Sequence, residues 1–349
     1  MIGKKTTIYD ISKMTGYSPS TVSRVLSKSE YPVAERTRDA IVKSAVELDY
    51  QTDLIARNLK TKTSNTIGVV VPTTGPMYMA MVQGMEDAAY ENGYTIFLLN
   101  HKYDPDRTRK YIQTLVQSYV SGVICMLLKE IPEGCIPENS GCPVLMITSG
   151  NTPKGELFVD LELENSTYLA TKHLISLGHK KIAYLTLNKE VLSMRQLKIA
   201  GYKKALGEAG IVFSERYLYE TQNCHYASSD SLLECEVGVE LTRKLIINTP
   251  EVTGIVCMND LVAIAALREL TDSGYRVPFD YSVTGCDDLF FARLIRPSLT
   301  TVQINKYDMG RRAMLDLIQY IQNGIVHSRK NDKDIRLIKR ESSSFPRHA

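Results

Sequence analysis

The chain contains no apolar run approaching the ~20 residues that cross a bilayer, and its N-terminus lacks the apolar centre of a signal peptide. These absences exclude a membrane-spanning helix and lead us to expect a cytoplasmic protein. No CxxC spacing occurs either. The seven cysteines, Cys125, Cys135, Cys142, Cys224, Cys235, Cys257 and Cys286, are odd in number and scattered, as buried thiols of a reducing compartment are. Catalytic signatures are missing: there is no GxGxxG, GxxxxGK[ST], HExxH or GxSxG. The six histidines are isolated, and His173 and His179 of HLISLGHKK have no third ligand for a metal. His179 suits a helix-to-strand turn in which it bonds backbone. No catalytic residue, cofactor or metal is therefore expected, and the chain does not read as an enzyme.

What is present begins at Thr7. The stretch TIYDISKMTGYSPSTVSRVL predicts two short helices joined by a tight turn. Ile8, Ile11 and Met14 form an apolar stripe on the first, Gly16 permits the turn, and Ser18 followed by Pro19 supplies an N-cap and a first-turn proline for the second. In that second helix Val22, Val25 and Leu26 share one face, leaving Ser20, Thr21, Ser23, Arg24 and Ser27 to project elsewhere. Small hydroxyls can bond phosphates, and an arginine fork can grip the O6 and N7 edge of a guanine. A third helix over Ala34 to Leu48, with Ile41, Ala45 and Leu48 on one side, closes the bundle.

Charge is distributed to match. Residues 1–65 carry 11 Lys and Arg against 7 Asp and Glu, a surplus of +4, while the remaining 31 and 32 give the body −1. Clustered cations on one small domain favour phosphate binding through counterion release. The next segment changes character: LIARNLK can form one further short helix, too apolar in Leu54, Ile55, Ala56 and Leu59 for a free linker, followed by polar TKTSN. It reads as a hinge whose apolar side chains want a second copy, a domain surface or a minor-groove base step.

From Thr66 onward nine apolar, β-rich runs (TIGVVVP, YTIFLLN, GVICML, PVLMIT, LFVDLE, KIAYLTL, GIVCMND, YSVTGCD and LTTVQIN) alternate with helical stretches such as 79–92, 107–121, 166–177, 197–209 and 261–273. Continuous Val and Ile runs predict parallel strands buried on both faces, and so many units predict an α/β core of two Rossmann-like lobes facing a cleft. Ligands in such lobes bind beyond the carboxyl ends of strands, here the loops after Val71, Asn100, Leu187, Met258 and Cys286. Asp287 and Asp288 stand side by side there. Consecutive carboxylates rarely converge as an acid and base pair, and one that accepts sugar hydroxyls is the simpler reading.

In order, TTIYDISKMTGYSPSTVSRVL, ARNLKTKTSNTIGVVVP, YLATKHLISLGHKKIAYL, GYKKAL, CMNDLVAIAALREL, YRVPFDYSVTGCDD, RPSLTTV and RESSS resemble the family of the lactose and galactose repressors nearly end to end. The resemblance implies an N-terminal all-α helix-turn-helix headpiece over residues 1–50, a hinge helix and linker over 51–65, and a periplasmic-binding-protein-like core. That core divides into one subdomain of 66–165 plus 297–325 and a second of 166–296 plus 326–345. It further implies a homodimer on near-palindromic operator DNA, with a small-molecule effector between the lobes altering DNA affinity. By position, Thr7, Tyr9, Thr21 and Ser23 match phosphate contacts, Ser20 and Arg24 match base readers, and Leu59 matches the hinge leucine wedged into the minor groove. Met77, Tyr78, Asn100, Lys198, Asn259 and Asp287 match the effector cleft.

The chain departs from the family at the cleft. Lys198 stands where an arginine, with its planar fork, is usual, Glu162 and Leu163 replace a common DN pair, and the stretch 221–236 is long, with Cys224, His225 and Tyr226 in it. A sugar or sugar derivative controlling carbohydrate-utilisation genes is the main expectation. A purine effector, a phosphoprotein corepressor, or a sugar receptor that binds no DNA are the alternatives.

Overall fold

The computed structural model describes residues 6–26, 32–50, 64–126, 141–148, 157–161, 163–187, 193–221, 231–325 and 335–347. They belong to two compact units, Met1–Ser64 and Asn65–Ala349. The expected hinge helix with Leu59, and Glu162, Cys224, His225 and Tyr226, lie outside the described residues.

In the first unit the three expected helices are α1 (Ile8–Thr15), α2 (Pro19–Leu26) and α3 (Glu35–Glu47). Gly16 takes the left-handed conformation, φ 76°, that a side chain would resist, and its N–H closes α1 on the Ser12 carbonyl. Ser18 caps α2, its Oγ accepting from the Thr21 N–H at 3.2 Å, and Pro19 is the first helical residue. Ile11, Val22, Val25, Ile41 and Ala45 form the buried core, with Ile8, Leu26 and Leu48 packed against it. Met14 departs from the expected stripe. It is 51% exposed, because three helices this short enclose little more than one layer of side chains, and Ile11 fills the centre.

The second unit holds two sheets. In the first, β1 (Thr66–Val71), β2 (Thr95–Asn100), β3 (Gly122–Met126), β4 (Val144–Thr148) and β5 (Leu157–Asp160) are all parallel in the order β2-β1-β3-β4-β5. In the second, β6 (Ile182–Thr186), β7 (Leu218–Glu220), β8 (Gly254–Cys257), β9 (Ser282–Asp287), β10 (Thr300–Ile304) and β11 (Ile335–Ile338) run in the order β11-β10-β9-β8-β6-β7, with only the β10 and β11 pair antiparallel. All nine expected strands are present. The apolar runs of β1, β3, β8 and β9 are buried almost throughout, as parallel strands covered on both faces must be. At the sheet edge β2 differs: Phe97 and Leu98 face outward despite an equally apolar sequence.

The covering helices are α4 (Pro76–Glu91), α5 (Pro105–Gln117), α6 (Leu163–Ser176), α7 (Ser193–Glu208), α8 (Ser231–Asn248), α9 (Asp260–Asp272) and α10 (Lys306–Asn323). Helices α4 and α10 touch backbone to backbone. A Cβ added at Gly84 would stand 2.0 Å from the Tyr307 carbonyl oxygen, and one at Gly310 2.0 Å from that of Met81. The expected division of the core needs one correction. It placed 297–325 wholly with the first subdomain, but β10 pairs with β9 in the second sheet and only α10 returns to the first. A strand's place is fixed by its ladder partner, which a linear reading of segments does not reveal.

Candidate functional site

In the headpiece, Ser20 and Arg24 are exposed one turn apart on α2, with Thr21 and Ser23 half-exposed between them. The hydroxyls of Ser20 and Thr21 each lie 2.9 Å from that of Ser18 at the start of that helix. Donors clustered at a helix N-terminus, where backbone N–H groups also point outward, suit a phosphate oxygen. On α1, Tyr9 is exposed, while Thr7 directs both its N–H and its hydroxyl to the Asp10 carboxylate at 2.8 and 2.7 Å as part of a capping box. Thr7 therefore spends its hydroxyl on the helix in this arrangement.

The core's cleft follows from its two strand orders. Each sheet reverses direction beside its first strand, between β1 and β3 and between β6 and β8, and ligands settle at such switch points beyond the carboxyl ends. A cavity of about 60 Å³ lies there. Thr73, Met77 and Tyr78 follow β1, Tyr103 follows β2, Met258 and Asn259 follow β8, Asp287 ends β9 and Leu289 follows it; Met194, Arg195 and Lys198 come from α7 and Glu234 from α8. Of the expected cleft residues, Met77, Tyr78, Lys198, Asn259 and Asp287 are brought together. Asn100 is not: it stays outside the lining, and its Oδ1 accepts from the Lys102 N–H at 3.0 Å.

The polar groups of the wall are largely committed. Lys198, 3% exposed, donates to the Met258 carbonyl at 2.6 Å. Asn259 caps α9, its Oδ1 accepting from the Val262 N–H at 3.0 Å. Asp287 pairs at 2.8 Å with Lys306, both side chains almost fully buried. It and Asp288 occupy consecutive positive-φ conformations, 125° and 51°, which non-glycine residues adopt at a cost. That twist sends the two carboxylates apart. Asp288 turns to Arg340 and Gln303 while Asp287 turns to the cleft.

Arg195, Glu234, Tyr103 and Lys306 escaped the sequence reading. Arg195 stands one helical turn before Lys198 and is equally buried, so the cleft does carry a guanidinium, displaced by three residues from the position where it was sought. Burial pushes the Glu234 carboxyl up to about 7, Asp287 pushes the same way, and an Asn259 hydrogen bond with Lys198 and Arg195 opposes them. Such a carboxyl offers a donor or an acceptor near neutral pH. Beneath Asp287, buried Asp260 is likewise raised to about 7, chiefly by desolvation, and holds the Leu289 N–H at 2.7 Å and the Thr301 hydroxyl. No helix among the described residues is long and apolar enough to cross a membrane.

Comparison with known proteins matches both units. Residues 7–53 match the family described as bacterial regulatory proteins, lacI family, and residues 171–343 match a periplasmic binding protein-like domain. An HTH-type transcriptional repressor PurR of Mannheimia succiniciproducens is 34% identical over 319 residues, 90% of this chain and 92% of its own length. Among solved structures, the lac repressor bound to ONPG in its repressed state is 25% identical with a TM-score of 0.81, covering 97% of this chain and 100% of its own. A LacI family transcriptional regulator from Enterococcus faecium with bound ribose is 26% identical with a TM-score of 0.68, covering 80% and 99%. With a helix-turn-helix at one end, two switch-point sheets around a cleft and a full-length repressor relative, the chain belongs to the lacI family of bacterial regulatory proteins and is a DNA-binding transcriptional repressor.

Proposed function

We propose that this repressor acts in the cytoplasm as a dimer on operator DNA, reading bases with Ser20 and Arg24 of α2, and that a purine in the cleft sets its operator affinity. The observation that carries the purine is the composition of the wall. Met77, Met194, Met258, Leu261 and Leu289 with Tyr78 and Tyr103 form nearly half of it, and the hydroxyls of the two tyrosines are 3.5 Å apart. Thioethers and rings suit the faces of a flat heterocycle. Lys198, Asn259 and one Asp287 oxygen are already bonded within the protein, so few groups remain for the many hydroxyls of a free sugar. Glu234, which shares a hydrogen bond with Asn259, and Arg195 place a carboxyl and a guanidinium in the wall, group types that match the mixed donors and acceptors of a purine edge. The full-length relative named PurR supports the same reading.

A sugar derivative acting on carbohydrate genes is the second reading, favoured by the ribose-bound neighbour. Titration calorimetry of the purified dimer with purine bases and with monosaccharides, followed by gel shift on genomic fragments with each, distinguishes the two. Purine binding that changes operator affinity is the expected result. A monosaccharide that does so while purines do not would replace this reading with the second.

A further inference from the structure

Beside the inner cavity lies a larger one of about 290 Å³. Ala80 of α4, Phe290 and Phe291 of the short turn after β9, and residues 303–307 leading from β10 into α10 surround it. Pro76, Met77, Asp287 and Leu289 line both cavities. A single layer of side chains thus divides them, and Met77, unbranched and half-buried, is a partition that can move aside. The two spaces differ in chemistry. The inner is walled by tyrosine and methionine; the outer is floored by Asp287 and Asp288 and rimmed by Phe290 and Phe291, which are 64% and 52% exposed with ring centroids 6.1 Å apart. Two large rings exposed together on one turn contribute little to the core.

Asp287 stands at the junction. Its Oδ1 accepts from Lys306, and because a carboxylate can accept about four hydrogen bonds, capacity remains for a ligand. A carboxylate at the carboxyl end of a parallel strand is well placed to take ribose hydroxyls. Resting on the purine reading above, we propose that the cleft is built for a purine nucleoside, with the base against Tyr78 and Tyr103 in the inner cavity, enlarged by displacement of Met77, and the pentose in the outer one, its hydroxyls on Asp287. A free base leaves the outer cavity empty, and a monosaccharide leaves the apolar inner one unused.

The experiment is calorimetric titration of the full-length protein with a purine base, its ribonucleoside, its 2′-deoxyribonucleoside and ribose. The ribonucleoside should bind at least about tenfold more tightly than the base and several-fold more tightly than the deoxy form, as expected for a lost buried hydroxyl contact. In Ala80→Leu, which fills the outer cavity alone, that advantage should vanish while base affinity stays unchanged. Phe291→Ser, at an exposed ring, gives an independent readout if the leucine variant does not fold, and should lower ribonucleoside affinity several-fold without touching the base. A base that binds as well as its nucleoside overturns the nucleoside assignment and leaves the purine reading standing. Ribose binding in the absence of purine binding overturns both. A nucleoside advantage retained in Ala80→Leu or Phe291→Ser overturns the placement of the pentose.

Discussion

Arg24 protrudes from the face of α2 opposite Val22 and Val25, both buried, so its removal leaves the small core of the headpiece intact. Arg24→Ala should weaken operator binding by about 1 to 3 kcal/mol and largely spare ionic binding to random DNA, the pattern of a lost base contact. Competition binding at fixed salt measures it, and an equal loss on both DNAs would make Arg24 a phosphate contact instead. Single residues were legible where a local motif announces their role. Gly16, Ser18 and Pro19 mark a turn and a cap by type and order alone, and Asp287 ends an apolar strand run. Glu234 and Arg195 gave no such signal, because each reaches the cleft from within a helix whose orientation depends on the packing of α7 and α8. Lys306 was invisible for a related reason: its partner Asp287 lies 19 residues away and is reached through a strand and a turn.

At the level of elements, nine strands were readable from apolar runs, whereas β7 and β11 were not. They have three and four residues, mostly half-buried, and exist because a neighbouring strand offers a ladder. Helix α10 did carry a readable signal in Met309, Ala313 and Leu317 at four-residue spacing, all buried. The terminal RESSS block, unremarkable by composition, docks on the second sheet through two buried histidines. Ser343 Oγ meets His173 Nε2 at 2.9 Å, the Ser344 carbonyl meets His179 Nε2 at 2.9 Å, and His179 Nδ1 meets Thr253 Oγ1 at 2.8 Å. His179 therefore bonds backbone as expected, though that of a distant segment. Burial, then Lys339 and His179, pull His173 down to about 4 from 6.5. The folded state thus binds the proton less well than the unfolded chain, so this contribution is complete above pH 6.5 and is lost as pH falls towards 4. Between pH 6.5 and 5 the loss should reach about 2 kcal/mol. Urea unfolding across that range should show it in the wild type and a shallower slope in His173→Gln; parallel slopes would assign the acid sensitivity elsewhere.

For the molecule as a whole, the exposed edge of the first sheet is the feature that asks for a partner. Tyr90 at the end of α4 is 80% exposed and Phe97 on β2 52%, with Leu98 beside it at 39%. Exposed apolar residues along an edge strand are an association surface unless covered, and a single headpiece reads too few base pairs for selectivity among genomic sites. Phe97→Asp should therefore convert the dimer to monomer in sedimentation and abolish tight operator binding while ligand affinity persists. A dimer that survives the substitution would move the interface away from β2.

The glycine contact between α4 and α10 bears on how a cleft event could travel. Neither helix can slide along the other without driving a carbonyl against the opposing backbone. The first turn of α4 carries Pro76, Met77 and Tyr78, and α10 opens with Lys306, which grips Asp287. The two helices thus reach the cleft at their first turns and each other at their glycines. A displacement of Met77 or of the Asp287 and Lys306 pair therefore bears on both helices at once, because where Gly84 and Gly310 lie no side chain stands between the two backbones to absorb it.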